Sequence, residues 1–314
     1  MLSDLAPKLR AAVSLAHKRD LQAIANRLGQ STDGIRLGDD CAAIPDGDGY
    51  LLLAAEGLLP NFVAADPWFA GWCAVMVNIS DITAMGGEAI AVVDILWTRS
   101  QSESEPIWVG MQAAAKAYQV PIVGGHTNIR SQQPGLAVAI LGRAQQLITS
   151  FDAQPDDSLL MAVDLRGEWR DPFPFWNAAT NVDPKVLQAN LSIFKGIAKQ
   201  GFCCAGKDIS NAGIIGTLLM LLESSGCGAV LDLDKIPRPP GVDLEKWLSA
   251  FPSFGYLLAV SPEFEDQVTA KFCDRGIDCV AIAKLTQDRK LILRSQNDSI
   301  MFWDLEQEKI MGFG

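Results

Sequence analysis

The hydrophobic positions of this chain follow two patterns, a helical spacing and short continuous apolar runs. Over residues 4–28 the apolar side chains recur three or four positions apart, which predicts one or two amphipathic helices. Residues 67–85 carry large apolar side chains at the same spacing, and the two glycines that follow are typical of a helix end. Residues 50–55 and 89–97 are continuous apolar runs, which predict strands.

The rest of the chain shows the same two patterns, with irregular connections between the elements. Strands are predicted over residues 136–143, 159–163, 230–233 and 256–260, and helices over 105–118, 184–200, 212–224 and 262–275. A polar stretch containing Pro155 separates the halves, and a chain of 314 residues suits two domains. We therefore predict domains over 1–150 and 151–314, both of the α+β class with mixed sheets.

The predicted strands of the first half are more apolar than a sheet with one face in water requires. Such a sheet alternates between apolar and polar residues along each strand. The runs at 50–55 and 89–97 lack this alternation. We therefore expect a second copy of the chain to cover the open face, which predicts a homodimer.

The net charge limits the partners of the chain. It is −11 at pH 7, so the surface repels nucleic-acid phosphates and anionic membranes, and we expect neither as a partner. No apolar run is long enough to span a bilayer, and the N-terminus lacks the pattern of a signal peptide. The seven cysteines are scattered without a CxxC pair, which is typical of reduced thiols. We therefore expect a cytoplasmic protein.

Carboxylates at predicted strand ends and turns are the best candidates for chemistry. The chain has two histidines, which excludes a zinc site built on several of them. Mg²⁺ prefers oxygen ligands, and it can bridge carboxylates and the phosphates of ATP. The candidate acidic residues are Asp39, Asp40, Glu56, Asp81 and Asp208. Taken singly, each of them could instead cap a helix or a turn.

Three glycine-containing segments accompany these carboxylates, and we predict a turn at each. They are Gly86-Gly87, Gly124-Gly125-His126-Thr127 and Asp208-Ile209-Ser210-Asn211-Ala212-Gly213. Backbone N–H groups at small residues can approach a phosphate, and the N-terminus of a following helix attracts it. No GxxxxGK[ST] segment is present, which excludes a P-loop, and no GxGxxG follows a strand, which argues against a Rossmann site.

Four segments occur in order along the chain, and two of them extend the set given above. They are Gly38-Asp39-Asp40-Cys41-Ala42 and the run from Asn78 to Gly87, which precede the segments at 124–127 and 208–213. The set resembles the motifs of the superfamily of AIR synthase, thiamine-monophosphate kinase and selenophosphate synthetase. AIR-synthase-related proteins of unassigned activity resemble this chain most. The resemblance extends from about residue 30 to the end.

The resemblance implies a two-domain AIR-synthase-like fold and binding of ATP with Mg²⁺. In that fold the N-terminal domain forms a β-barrel across a homodimer, and the C-terminal domain is an α/β sandwich-like unit. The implied metal ligands are Asp39, Asp40, Glu56, Asp81 and Asp208, of which Asp81 and Asp208 are also the implied catalytic residues. The implied nucleotide contacts are Gly124, Gly125, His126, Thr127, Arg143, Ser210 and Asn211.

Three positions depart from the kinase pattern. Glu56 and His126 each stand where the kinases have aspartate, and Asn211 replaces the second aspartate of their DxSD segment. Neutral imidazole is a poor ligand for Mg²⁺, and an amide ligates only as a neutral oxygen. Residues 252–256 also lack the carboxylates with which the kinases hold thiamine phosphate. The motifs that bind the nucleotide in the kinases are therefore better matched in this chain than the motifs that bind their substrate.

These departures leave three functions open. The first is a kinase that transfers the terminal phosphate of ATP to a small-molecule acceptor. The second is a ligase or cyclase that activates an amide or carbonyl oxygen with ATP. The third is a protein that binds a nucleotide without catalysis. The aromatic loop Trp169–Trp176 either lines an acceptor pocket or packs in the interior.

Overall fold

The computed structural model describes residues 2–29 and 31–314, apart from the side chains of residues 13 and 14, and its contacts separate two units. The first unit consists of Met1–Asp40, Leu147–Ala178 and Gly196–Gly314, and the second of Cys41–Gln146 and Ala179–Lys195. Both units combine helices with β-structure, so the predicted α+β class is confirmed. The predicted domain limits, 1–150 and 151–314, stay a prediction.

Ten α-helices lie in the described part of the chain. In chain order they are α1 (Leu2–Arg10), α2 (Val13–Arg19), α3 (Leu21–Leu28), α4 (Pro60–Ala65), α5 (Pro67–Ala84), α6 (Gln101–Tyr118), α7 (Pro184–Lys199), α8 (Gly213–Ser225), α9 (Leu244–Leu248) and α10 (Glu265–Cys273). The N-terminal segment forms three helices and not one or two, because the backbone at Ala12 is extended and interrupts the first helix. Among the described residues, no helix has the length and apolar character needed to cross a bilayer.

The strands of the described residues belong to four sheets. In chain order they are β1 (Ser31–Thr32), β2 (Ile35–Arg36), β3 (Ala42–Asp46), β4 (Gly49–Gly57), β5 (Glu88–Trp97), β6 (Ile122–Asn128), β7 (Gly135–Ala144), β8 (Ser158–Val163), β9 (Glu168–Trp169), β10 (Phe175–Asn177), β11 (Ala205–Asp208), β12 (Gly228–Asp232), β13 (Phe251–Pro252), β14 (Gly255–Val260), β15 (Asp278–Thr286), β16 (Lys290–Ser295) and β17 (Asp298–Asp304). The sequence predictions do not include the last three strands.

A seven-stranded mixed sheet forms the centre of the first unit, in the order β11-β14-β8-β15-β12-β16-β17. Every residue of β8 and β14 is buried, which accounts for their continuous apolar sequence. Helix α8 packs against α2, α9 and β11. Its buried Glu223 carboxylate accepts backbone N–H groups of Met311 (3.0 Å) and Gly312 (2.6 Å) from the C-terminal tail, so this buried charge is satisfied.

A five-stranded sheet forms the second unit, in the order β3-β4-β7-β5-β6. Helices α5 and α6 pack side by side, and α5 lies on β4, β5 and β7. Nearly every residue of α5 is buried, which explains why its sequence is apolar on all sides. The sheet is open within this chain, so the barrel that the resemblance implies would need a second copy.

The segment Gly124–Thr127 is a strand, and the prediction of a turn there is wrong. These residues continue β6, which pairs in parallel with β5 through partners such as Val93 with Gly124 and Ile95 with His126. Glycine has a low strand propensity, but the hydrogen bonds to β5 override it.

The face of the five-stranded sheet that α5 does not cover is apolar. Along β5, Val93, Ile95 and Trp97 are 41%, 47% and 45% exposed, while the residues between them are buried. The register of the strands places the exposed Leu53 and Leu141 on the same face. Successive residues of these strands therefore alternate between buried and exposed positions, and most residues of both kinds are apolar. For this reason the sequence shows a continuous apolar run.

Candidate functional site

Two carboxylates of the first unit approach each other from separate elements. Asp40 lies in a bend after β2, and Asp208 is the last residue of β11. One carboxylate oxygen of each lies within 4.8 Å of the other, and both side chains are 4% exposed. Like charges this close in a buried place repel each other, so the pair requires a nearby cation.

Lys207 supplies that positive charge. Its Nζ donates a hydrogen bond to Oδ1 of Asp40, and the backbone N–H of Asp208 lies 3.4 Å from Oδ2 of the same carboxylate. Burial by itself lowers the pKa of Lys207, but the charges of Asp40, Asp39 and Asp208 outweigh it and raise this pKa above its ordinary value. Lys207 is therefore a buried ammonium group held by carboxylates.

Asp39 faces a different partner from its neighbour. Its carboxylate accepts the backbone N–H of Ser150 (2.9 Å) and the Ser150 hydroxyl (2.6 Å). Burial, followed by the charge of Asp40, raises the pKa of Asp39 to about 6, although Lys207 and Ser150 act in the opposite direction. Asp39, Asp40 and Asp208 thus form one carboxylate cluster around Lys207 in the first unit, and their role as metal ligands stays a prediction.

The segment after Asp208 carries a hydroxyl group that lacks a partner. Within the described part of the chain, the buried Oγ of Ser210 makes no hydrogen bond, while the Ser210 backbone N–H donates to Oγ1 of Thr217 at 3.1 Å. The helix α8 begins three residues later at Gly213, where a Cβ would collide with the carbonyl oxygen of Leu248. The loop therefore offers a free hydroxyl beside the positive end of a helix. Asn211 is half-buried in this loop.

The other predicted residues lie in the second unit. Asp81 is in α5 and is buried, and Glu56 is an exposed residue of β4. The register places Glu56 in one row across the sheet with Val138, Asp94 and Gly125. The structure therefore places two of the predicted site residues, Gly125 and Glu56, in one row of the sheet.

Arg143 lies apart from that row. It is five residues farther along β7 than Val138, which corresponds to about 17 Å in a strand. Its side chain is exposed and forms an ion pair of 3.0 Å with Asp46. The structure therefore does not bring Arg143 next to Glu56 or Gly125.

His126 is exposed and shares the open apolar face of the sheet with Ile95. Successive strand residues point to opposite faces, so Gly125 and Thr127 face the helices instead. A ligand on one face of the sheet can therefore contact only those residues of Gly124–Thr127 whose side chains point to that face.

The aromatic loop packs in the interior of the first unit. Trp169, Trp176 and Trp247 form edge-to-face pairs with ring centroids 5.4–6.0 Å apart. Trp176 is buried, and its Nε1 donates to the carbonyl oxygen of Asp164 at 3.0 Å. Of the two interpretations of this loop, packing is the one that these contacts favour.

Three polar residues with notable surroundings are absent from the sequence predictions. Lys207 and Ser150 contact the carboxylate cluster, and neither has a local pattern that would single it out. Asp94 is buried in β5 and did have a signal, because it is a lone charge in the apolar run 89–97.

Comparison with known proteins gives a consistent family. The description "AIR synthase related protein, N-terminal domain" matches residues 38–144, and "AIR synthase related protein, C-terminal domain" matches residues 167–296. An uncharacterised protein of Synechocystis sp. is 51% identical over 319 residues, covering 100% of this chain and 99% of the relative.

A named relative and a solved structure extend this comparison. The thiamine-monophosphate kinase of Pyrococcus horikoshii is 29% identical over 217 residues, covering 65% of this chain and 69% of the relative. PurL of Thermotoga maritima, solved in complex with ATP, has the same fold, with a TM-score of 0.74 and 18% identity. That match covers 89% of this chain and 47% of the solved chain, so this chain spans about half of the length of that protein.

We expect Lys207→Met to destabilise the metal-free protein. The substitution keeps an apolar stem but leaves the Asp40 charge buried without its partner, which costs about 3–5 kcal/mol of unfolding free energy. Urea denaturation in the presence of EDTA measures this loss. The control is Lys195→Met, which removes an ion pair between exposed side chains and costs at most about 1 kcal/mol. Equal losses in the two variants would contradict the role of Lys207.

We expect Asp39 to make stability depend on pH between about 4 and 7. Its folded pKa of about 6 lies above the ordinary value of 3.8, so the folded state binds more protons in this range. The stability that Asp39 contributes is full below pH 3.8 and is lost as the pH rises through 6.

Asp39→Asn removes this titration. The unfolding free energy of the wild type minus that of the variant is therefore expected to fall from pH 4 to pH 7 and to stay level above. Urea denaturation at stepped pH measures the difference, and Asp33→Asn, at an exposed turn, is the control. A difference that is constant across this range would refute the shifted pKa.

Proposed function

Because this chain belongs to the AIR synthase related family, we propose that it is a Mg²⁺-dependent enzyme that transfers the terminal phosphate of ATP to a small-molecule acceptor. The observation that carries the proposal is the approach of the Asp40 and Asp208 carboxylates, with Asp39 beside them, in segments that resemble the motifs of thiamine-monophosphate kinase. The kinase of Pyrococcus horikoshii and the ATP complex of PurL support it.

The donor set of the first unit fits Mg²⁺. Carboxylate oxygens are the hard ligands that this ion prefers, at about 2.0–2.1 Å. Oxygens of Asp40 and Asp208 that lie within 4.8 Å of each other need only a small approach to share one ion. These two residues, with Asp39, would hold Mg²⁺, which when bound neutralises the charge of the phosphates.

The loop after Asp208 would bind a phosphate directly. The Ser210 hydroxyl would donate to a phosphate oxygen and gain the partner that it lacks, and the N-terminus of α8 would add its positive potential. Asn211 would contribute its side-chain amide. Positioning and charge neutralisation supply most of the catalysis in phosphoryl transfer, so such contacts suffice for the reaction class.

The residues of the second unit enter the proposal through the resemblance. We assign Asp81 and Glu56 as further metal ligands, and Asp81 with Asp208 as the catalytic carboxylates. Gly124, Gly125, His126, Thr127 and Arg143 are the proposed nucleotide contacts of this unit. Arg143 would have to leave its ion pair with Asp46 or act at the far end of the sheet.

One observation favours a second candidate function. Lys207 already neutralises Asp40, so a cation that binds there competes with a buried ammonium group. A protein that binds a nucleotide without turnover could keep such a pair. The alternative ligase or cyclase chemistry remains an outcome of the same assay.

We expect the purified protein with Mg·ATP to release ADP only when an acceptor is present. Thiamine monophosphate is the first acceptor to test, with thiamine diphosphate formation read in parallel. Asp208→Asn should reduce this turnover about 100-fold, because it removes a charged metal ligand. Asp298→Asn makes the same change at an exposed position of the same unit and should leave turnover unchanged.

Other outcomes of this assay point to the other functions. ADP and inorganic phosphate formed with an amide substrate, without thiamine diphosphate, would indicate a ligase or cyclase. A rise in melting temperature with Mg·ATP but no turnover would indicate nucleotide binding alone. Turnover that Asp208→Asn does not change would contradict the assigned metal site.

We also propose that the chain forms a homodimer through the open apolar face of the five-stranded sheet. This face carries Leu53, Val93, Ile95, Trp97 and Leu141, all at least 37% exposed. An apolar patch of this kind marks an interface, because monomers rarely leave one in water. Pairing two such faces would also give the barrel that the resemblance implies.

We expect Ile95→Glu to convert the dimer into a monomer. A buried carboxylate at the centre of this face would be desolvated without a partner, while the side chain remains in water in a single chain. Light scattering after size exclusion at about 10 µM reports the mass, since tight interfaces hold at this concentration. Ile24→Glu, at a similarly exposed isoleucine of the first unit, should stay dimeric. A monomeric wild type would overturn the proposal.

A further inference from the structure

A cavity of about 220 Å³ lies in the second unit, at the end of the five-stranded sheet where β5 and β6 begin. Its walls are the C-terminal ends of α5 and α6 and the part of α7 that belongs to this unit. Each water molecule of the liquid takes about 30 Å³, so the cavity has the volume of about seven waters. A ligand with about that many non-hydrogen atoms therefore fits.

The two helices of the sheet point the same end at this cavity. Strands β4 and β5 are each antiparallel to β7, and β5 is parallel to β6, so β4, β5 and β6 run in one direction. Helices α5 and α6 each return the chain from the end of one of these strands to the start of the next, and they are therefore parallel to each other. Each C-terminus carries about half a negative charge, so the two together give the cavity a negative potential.

Two buried hydroxyl groups at these helix ends lack a partner. Thr83 of α5 is 3% exposed, Tyr118 of α6 is 8% exposed, and both line the cavity. Within the described residues, neither hydroxyl makes a hydrogen bond. Burial raises the pKa of Tyr118, so its hydroxyl is a neutral phenol that can accept a hydrogen bond. Unpaired buried hydroxyls are costly, and a ligand that donates hydrogen bonds would satisfy both.

Helix α7 supplies a third acceptor and part of an apolar wall. Nε2 of Gln188 donates to the carbonyl oxygen of Ala117, in the last turn of α6, at 2.8 Å, so its Oε1 is the atom left for a ligand. Leu191 of α7, Ile79 of α5 and Val120 also line the cavity. The cavity thus combines a few oxygen acceptors with apolar surface, as ligand sites commonly do.

The charged side chains at the cavity cancel each other. Glu88 and Lys195 form an ion pair of 2.5 Å, and both are more than half exposed, so they lie at the rim. Arg143, the cross-strand partner of Glu88, is itself paired with Asp46. The helix ends therefore decide the sign of the potential inside, which favours a cation over an anion.

We propose that this cavity binds the ammonium group of a small aliphatic amine. An ammonium group has three N–H donors, and Thr83, Tyr118 and Gln188 offer three oxygen acceptors for them. The methylene groups of the amine would pack on Ile79 and Leu191.

This site is separate from the proposed nucleotide site. Among the described residues that line the cavity, none is a proposed metal ligand or nucleotide contact. Asp81 precedes Thr83 by two residues on α5, which places the two side chains on opposite sides of the helix. Glu88 is six residues before Asp94, the partner of Gly125, which corresponds to about 20 Å along β5. The amine would therefore be a second ligand and not the phosphate acceptor.

Butylammonium is the probe for this site, and 1-butanol and butyrate are its matched neutral and anionic controls. The chain has three tyrosines, Tyr50, Tyr118 and Tyr256, so protein labelled with 3-fluorotyrosine gives three ¹⁹F NMR signals. The signal that is absent in Tyr118→Phe belongs to Tyr118. At pH 7 and constant ionic strength we expect butylammonium to shift this signal saturably and to leave the other two in place. Butanol should bind at least about tenfold more weakly, and butyrate should not bind.

Two variants test the residues of the site. Thr83→Val removes one acceptor while keeping the shape of the side chain, and it should weaken butylammonium binding at least about fivefold. Thr32→Val makes the same change at an exposed strand position and should bind as the wild type does. Leu191→Trp fills the cavity while keeping both hydroxyls, and it should abolish the shift even where Thr83→Val fails to fold.

Three results would overturn the proposal. The first is a Tyr118 signal that butylammonium does not shift saturably, or whose shift persists unchanged in both Thr83→Val and Leu191→Trp. The second is butanol or butyrate binding as tightly as butylammonium. The third is a titration with KCl alone that produces the same saturable shift and loses it in Thr83→Val, because the site would then hold a metal cation.

Discussion

The buried pair of Lys207 and Asp40 is the interaction on which the carboxylate cluster of the first unit depends. Asp39, Asp40 and Asp208 bring three negative charges together, and water reaches little of Asp208 and of the Asp40 side chain. Such a group folds only if its repulsion is offset, and the chain offsets it with one ammonium group and two hydrogen bonds from Ser150. The cluster is thus held in position before any ligand arrives, and the raised pKa of Asp39 is the remaining cost of that arrangement.

The same pair constrains how a metal ion could act here. A bound Mg²⁺ would contribute two positive charges where Lys207 already contributes one, so the lysine either moves away or turns toward the phosphates that arrive with the ion. In the second case Lys207 would act as a phosphate ligand with a compact charge. His126 and Asn211 stand where the kinase pattern that this chain resembles has aspartates. A lysine beside the remaining carboxylates is consistent with a site that binds fewer metal ions.

Local patterns predicted much of the fold, and non-local pairing explains where they fell short. Helix α5 and strand β5 lie within one residue of their predicted ranges, because side-chain period and terminal glycines are local signals. The strand at Gly124–Thr127 is held by hydrogen bonds to β5, about 30 residues earlier, which no local signal reports. Lys207 and Ser150 reach Asp40 and Asp39 across 167 and 111 residues of sequence. The cluster of carboxylates was predictable through motif resemblance, whereas its partners were not.

The pleat of β6 limits which residues of the segment Gly124–Thr127 can contact one ligand. The resemblance assigns all four residues of Gly124–Thr127 to nucleotide contacts, and Gly125 with His126 to the phosphate path. Alternate residues of a strand face opposite sides. On one side, Gly125 and Thr127 line a cavity together with the buried Asp94. On the other side, His126 shares the open apolar face with Ile95, where a second copy of the chain would lie beside it. A phosphate that His126 contacts would therefore approach from the apolar face on which we propose that the dimer forms. The imidazole, where the kinases have aspartate, suits that side because it places no additional negative charge beside an apolar face.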